Sequence, residues 1–137
     1  MKIRIIYASM TKHTKKLADE LASKLNITAE DVKSNPRLEK CDILFLGSGV
    51  YAGKVAPEIE KFCEKLTKDI VKKIVFFTTS CKNEDFTKDM QKILLDKGID
   101  VCKKVYFCPG QFLLFHIGRP NKKDVKNFLE FANKILD

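Results

Sequence analysis

A run of β-branched and apolar residues, Ile3-Arg4-Ile5-Ile6-Tyr7-Ala8, ends abruptly in the hydroxyl-rich hexapeptide Ser9-Met10-Thr11-Lys12-His13-Thr14. An amphipathic helical pattern follows at once, with Leu17, Ala18, Leu21, Ala22 and Leu25 at helical spacing over Thr14–Leu25. A strand that feeds a helix N-terminus directly gathers unpaired backbone N–H groups at one point. Those groups, the positive end of the helix dipole and short hydroxyls make an anion site, most often for phosphate. A plain Ser/Thr helix cap is the simpler alternative, but three hydroxyls in six residues exceed what one cap uses.

The same strand–helix alternation continues to the end of the chain. Lys2–Ala8 is the first expected strand, and residues 27–32 supply a weak second one before the Asn35-Pro36 break. Cys41–Ser48 is a third, running into Gly47-Ser48-Gly49. Pro57 opens a helix with Ile59, Phe62, Cys63 and Leu66 on one face, proline suiting a first turn. Lys73–Thr79 is a fourth strand. A helix over 84–97 carries Phe86, Met90, Ile93 and Leu94 and stops at Gly98. Val101–Cys108 is the fifth strand, and Asn121–Leu136 the last helix, with Val125, Phe128, Leu129, Ala132, Ile135 and Leu136 inward. Between helices and strands, Gln111–His116 is an irregular apolar loop that either packs as core or walls a substrate.

Strands buried on both faces and joined by helical crossovers predict an α/β domain over 1–137 with a parallel sheet covered on both sides. The 137 residues suffice for one core, and 45% hydrophobic with 32% charged residues excludes a disordered chain. No apolar run approaches the ~20 residues of a membrane span, and the N-terminus lacks a signal-peptide pattern, so a cytoplasmic location is expected. The five cysteines form no C-x-x-C pair. Cys41, Cys63, Cys102 and Cys108 lie in or beside apolar segments and read as small hydrophobes rather than metal ligands, whereas Cys81 falls in a loop. The net charge of +8 is spread along helices without interleaved aromatics. That pattern gives a solvated surface first, an acidic protein partner second, and nucleic acid last.

Ligands of such sheets bind beyond the strand C-terminal ends, where three loops stand out. The first is Ser9–Thr14. The second, Gly47-Ser48-Gly49-Val50-Tyr51-Ala52-Gly53-Lys54, holds three of the six glycines and sets Tyr51 among small residues, as a stacking face or as a surface turn. The third, Thr78-Thr79-Ser80-Cys81-Lys82-Asn83, offers hydroxyls, backbone N–H groups and a thiol. Neither G-x-G-x-x-G nor G-x-x-x-x-G-K-[ST] follows the first strand. Ala8-Ser9 lacks the acidic residues of a receiver domain. Thr87 stands where a phosphatase-type cysteine loop needs arginine, six residues after Cys81. A dyad of Cys81 with His13 or His116 is the least supported arrangement.

With these segments in view, the chain resembles a short-chain flavodoxin over nearly its whole length. Ser9–Thr14 is similar to the family's T/S-x-T-G-x-T phosphate loop, and Asp42–Lys54 to its D-h-h-h-h-G-S-G-h-Y/W-x-G-K segment. Cys108-Pro109-Gly110 and Gly118–Asp124 resemble the C-terminal part of small bacterial flavodoxin-domain proteins. The resemblance implies a flavodoxin-like three-layer sandwich, its five-stranded parallel sheet in the order 2-1-3-4-5. It implies FMN, with the phosphate on Ser9, Met10, Thr11, Lys12, His13 and Thr14. The ring would lie between Gly49, Val50, Tyr51, Ala52 and Gly53 on one side and Thr79, Ser80, Cys81 and Lys82 on the other. No catalytic acid, base or metal is implied, because the flavin carries the chemistry.

The expected role is electron transfer between redox protein partners, acidic ones given the basic charge. The alternatives are a small FMN-dependent oxidoreductase and a module of this fold that has lost FMN. Three departures bear on the choice. Lys12 and His13 replace the family's Gly and Asn, so either the loop conformation differs or position 12 does without glycine's freedom. Those two basic side chains would add charge complementarity to a phosphate. The third loop lacks an outer stacking aromatic, Phe86 being expected in its helix core. The chain is also basic where the family is typically acidic.

Overall fold

A computed structural model describes residues 1–110 and 117–137; the apolar segment Gln111–His116 lies outside the described residues. Its elements, in order, are β1 (Ile3–Ala8), α1 (His13–Leu25), β2 (Glu30–Asp31), β3 (Cys41–Tyr51), β4 (Lys54–Val55) and α2 (Pro57–Lys65). They continue as β5 (Val71–Ser80), α3 (Lys88–Asp96), β6 (Asp100–Val101), β7 (Tyr106–Pro109) and α4 (Lys122–Leu136). No helix among the described residues is long and apolar enough to cross a membrane.

The sheet runs β2-β1-β3-β5-β6, with all of these pairs parallel. This is the flavodoxin-like α/β fold expected from the sequence, enlarged to seven described strands in two places. The expected edge strand Val101–Cys108 is divided. β6 pairs with the first half of β5 (Lys73 with Asp100), and β7 with its second half (Phe77 with Tyr106). Cys102 N–H still donates to the Ile74 carbonyl, after which Lys103 and Lys104 turn to solvent and break the ladder. The other addition is β4, which folds back antiparallel on the end of β3.

Alternation along the central strands sorts the core into two layers. Ile6, Leu44, Leu46, Ile74 and Phe76 pack with Ile59, Phe62 and Cys63 of α2 and Met90 and Leu94 of α3. The intervening Ile5, Tyr7, Ile43, Phe45, Val75 and Phe77 pack with Leu17 and Leu21 of α1 and Phe128 and Ala132 of α4. Both faces of the sheet are thereby covered, which is why the strands read as continuous apolar runs. Gly47, paired with Phe77, matters here. A Cβ on it would lie 2.3 Å from the Phe77 ring, so only glycine admits that ring between α1 and the sheet.

Helix ends follow local chemistry. Asn121 and Asp124 form a reciprocal capping box on α4, and Arg119 donates to Asp124 Oδ1 at 2.6 Å. Lys97 donates to the carbonyls of Cys63 and Leu66 at the end of α2, placing a cation where the dipole favours one. α3 is shorter than the expected 84–97 helix. Asp85 Oδ1 accepts from both Thr87 N–H and Thr87 Oγ1, and that turn delays the helix to Lys88. Phe86 therefore sits half-buried ahead of the helix instead of in its core. Ile93 is also 39% exposed, the inward face being Met90 and Leu94.

Candidate functional site

The parallel register carries the C-terminal ends of β1, β3 and β5 to one edge. Ala8 pairs with Ser48, and Ser48 with Thr78. The three loops that leave these ends enclose a cleft of about 270 Å³, close to the lower bound of the about 300–1,000 Å³ usual for small-molecule sites. Thr11 and His13 line it from the first loop, Gly49 through Ala52 from the second, and Thr79, Ser80 and Cys81 from the third. Gly110, just beyond β7, closes the remaining side. Gly110 was not among the sequence-derived candidates, although Pro109-Gly110 at a strand end was the signal for it. A Cβ there would lie 3.0 Å from His13 Nδ1, so its bare backbone is what gives the imidazole its place.

The first loop keeps an αL residue at its turn. Lys12 has φ 67° and ψ 6° and precedes α1 as its N-cap without a side-chain capping bond. A lysine thus takes the backbone conformation usually left to glycine, settling the alternative left open by the sequence. Lys12 C=O accepts from Lys16 N–H at 3.0 Å, the bond that opens α1. The N–H groups of the first helical turn have no intrahelical acceptor. Among the described residues Ser9 Oγ is buried with no hydrogen-bond partner, an orphaned hydroxyl in the loop ahead of α1. Such a group costs desolvation energy unless a ligand or water meets it.

The hydroxyls have divided duties. Thr14 Oγ1 and Thr79 Oγ1 lie 2.8 Å apart and buried, tying the start of α1 to the end of β5 beneath the cleft. Thr11 Oγ1 lies 2.9 Å from His13 Nδ1. His13 is held below its ordinary pKa, first by burial and then by the nearby Lys16 charge, so it is neutral at pH 7. In the ligand-free chain His13 therefore does not bring a full positive charge to the first loop at neutral pH.

The second loop is a hairpin rather than a loose turn. Ala52 (φ 52°) and Gly53 (φ 75°) give the two positive φ angles of the tight connection between β3 and β4. Ser48 Oγ donates to Gly49 C=O at 2.6 Å and accepts from Ala56 N–H at 2.9 Å, pinning the hairpin to the start of α2. Tyr51 lies over Gly49, where a Cβ would sit 2.4 Å from the tyrosine Oη. That hydroxyl accepts from Met10 N–H at 2.8 Å, so the aromatic reaches across to the first loop. Gly53 faces a different, smaller groove beside Phe86.

In the third loop Ser80 is buried. Its Oγ accepts from Lys82 N–H, and its C=O accepts from Gly110 N–H, fixing the loop to β7. Cys81 is exposed at the cleft and Lys82 is exposed outside its lining. The other cysteines belong to the core: burial pushes the Cys63 and Cys108 thiols up to about 12 and raises Cys41. Thiols held protonated in this way are inert.

Comparison with known proteins supports the same architecture. The flavodoxin domain family matches residues 4–130. An uncharacterized protein of Methanocaldococcus jannaschii is 34% identical over 148 aligned residues that cover 99% of each chain. A flavodoxin from the domain Archaea is similar in structure, with a TM-score of 0.74, 15% identity and 100% of both chains covered. The rubredoxin oxygen:oxidoreductase of Desulfovibrio gigas is similar with a TM-score of 0.72 and 17% identity over 98% of this chain and 35% of its own. At those identities the structural likeness speaks for the fold alone.

Proposed function

We propose, from the premise that this chain belongs to the flavodoxin domain family, that it binds FMN in the strand-end cleft and passes electrons between redox proteins. The observation that carries this reading is the convergence of three strand-end loops on one cleft, with a buried hydroxyl that has no partner among the described residues, Ser9, in the first of those loops. FMN, when bound, supplies reversible one- and two-electron transfer. The residues present fit such a group. The Ser9 hydroxyl and the N–H groups from Thr11 to Thr14 offer neutral donors to a phosphate, strengthened by the dipole of α1. The exposed Lys12 adds charge at the same turn. Val50, Tyr51 and Ala52 would face a flat ring from the second loop, and Thr79, Ser80 and Cys81 from the third.

The chain's own part is to bind, orient and partly bury the ring. Ser48 and the Thr14–Thr79 pair hold the loops in place, and Thr11 stays paired with His13 beside the cleft. One observation favours a second reading, in which the fold no longer takes FMN. Tyr51 Oη already accepts the Met10 N–H that a phosphate would use.

Equilibrium titration of the purified chain with FMN, FAD and riboflavin separates the two. FMN binding that exceeds riboflavin binding by a phosphate contribution supports the carrier reading. A chain that quenches none of the three flavins supports the second.

A further inference from the structure

We propose that His13 makes the strand-end cleft selective for a phosphate monoester by taking up a proton as the ester binds; this rests on the reading of the cleft as a phosphate-binding flavin site. His13 opens α1 and lines the cleft together with Thr11. Its Nδ1 lies 2.9 Å from Thr11 Oγ1, and its ring lies against the bare backbone of Gly110. The imidazole therefore stands beside the helix N–H groups that have no intrahelical acceptor.

The contact between Thr11 and His13 carries the coupling. In neutral imidazole one ring nitrogen donates and the other accepts, so the Thr11 hydroxyl hydrogen can be spent on Nδ1. In the imidazolium both nitrogens donate. Nδ1–H then donates to Thr11 Oγ1, and the hydroxyl hydrogen is left for a phosphate oxygen. One proton taken from solvent thus adds a charge and a directed donor at the same point, and no covalent bond to the ligand forms or breaks.

The surrounding groups hold the imidazole neutral until an anion arrives. Burial and the Lys16 charge both oppose its protonation, and Lys12 is a further cation in the same loop. The segment 9–14 contains no carboxylate. Tyr51 of the second loop and Cys81 of the third line the same cleft, with Lys82 exposed beyond it and Cys108 buried in β7. Asp124, at the start of α4, is the one carboxylate among these groups, and Arg119 holds it. A bound dianion supplies the negative charge this end of the cleft lacks and so favours the imidazolium.

Ligand charge then sets the selectivity. A phosphate monoester loses its second proton near about pH 6 and carries close to two negative charges at neutral pH. Each phosphate of a diester keeps a single charge, and a free hydroxyl has none. Pairing with the imidazolium is strongest for the monoester.

The test follows the His13 ring proton signal by NMR through a pH titration of the full chain, alone and with inorganic phosphate, FMN or riboflavin. A His13→Asn variant identifies that signal among the chain's two histidines. Phosphate and FMN should raise the His13 midpoint, and riboflavin should leave it in place. In fluorescence titrations FMN should bind about fivefold more tightly at about pH 6.5 than at about pH 8, with riboflavin and FAD level across that range. His13→Asn should remove the pH dependence of FMN binding and leave riboflavin affinity unchanged.

An FMN complex whose His13 midpoint matches that of the free chain overturns the proposal and leaves the FMN reading intact, as does a pH dependence that survives in His13→Asn. A midpoint raised by phosphate in a chain that takes no flavin supports the proposal and removes the FMN reading. A chain in which neither phosphate nor FMN binds or moves the midpoint overturns both.

Discussion

The Tyr51 hydroxyl accepts a 2.8 Å hydrogen bond from Met10 N–H, so the aromatic of the second loop closes onto the backbone of the first. Gly49 makes this possible, since any side chain there would collide with the tyrosine. On the FMN reading proposed above, the bond occupies a donor that an incoming phosphate would use.

Removing that competition should tighten binding. Tyr51→Phe keeps the ring and frees Met10 N–H, so the roughly 1 kcal/mol that a phosphate otherwise forfeits in displacing the hydroxyl is recovered. FMN affinity should rise about fivefold while riboflavin affinity, which lacks the phosphate, stays level. Parallel fluorescence titrations of the two ligands provide the check, and an equal change for both would refute this role for Tyr51.

Lys12 holds φ at 67°, a conformation that costs a non-glycine residue about 1 kcal/mol or more. Lys12→Gly should therefore raise the urea midpoint, less whatever glycine's extra freedom in the unfolded chain takes back. Lys12→Val, β-branched at the same φ, should lower it. FMN affinity of the glycine variant reads out the other role of this lysine. Weaker binding shows that its charge helps hold the phosphate, and tighter binding shows that the strain had opposed the loop geometry.

Ser48 serves two backbone groups from a position only 2% exposed. In Ser48→Ala the Ala56 N–H loses its acceptor while still buried, a loss of about 1–3 kcal/mol. Urea unfolding should show it, together with weaker flavin binding as the hairpin loosens. Unchanged stability would mean that another acceptor replaces the hydroxyl.

Two partly buried groups contribute to the acid limit. The Arg119 guanidinium beside Asp124, helped by Asn121 N–H, holds that carboxyl below its ordinary 3.8. Its folded pKa lies below the unfolded one, so its stabilisation is complete above about pH 4–5 and fades as pH falls through the folded value. His13 is likewise depressed from 6.5, by burial first, and its protonation below that value also works against the fold. Asp124→Asn should flatten the stability profile below pH 4, and His13→Gln the part that begins as pH falls below 6.5. Equilibrium unfolding across these ranges separates the two contributions, and superimposable profiles would contradict both.

Much of this was legible in the chain itself. Ile5, Ile6, Leu44, Phe45, Val75 and Phe76 announce strands buried on both sides, and Leu17, Leu21, Phe128 and Ala132 the helices that cover them, because both patterns arise from local periodicity. The three loops were visible as hydroxyl and glycine clusters at strand ends, since a parallel sheet sends every such end to one edge. The start of α3 was misplaced because the Asp85–Thr87 turn competes with helix over a span whose periodicity looks helical. The division of the edge strand leaves no mark on local pattern, because Val101 and Cys108 are apolar at both ends while Lys103 and Lys104 are solvated between them.

The sequence by itself determined the fold and the set of loops that meet, through periodicity, turn chemistry and the handedness of the crossovers. Tertiary structure alone decided how those loops use their groups. Thr14 and Thr79 spend their hydroxyls on each other, and Ser9 is left unpartnered. Tyr51 reaches Met10 across 41 positions of chain, and Gly110 yields its space to His13. Lys12 is held left-handed, which its own residue type disfavours. Each of these depends on distances between segments far apart in sequence, set by strand register and core packing, and local propensity carries no information about them.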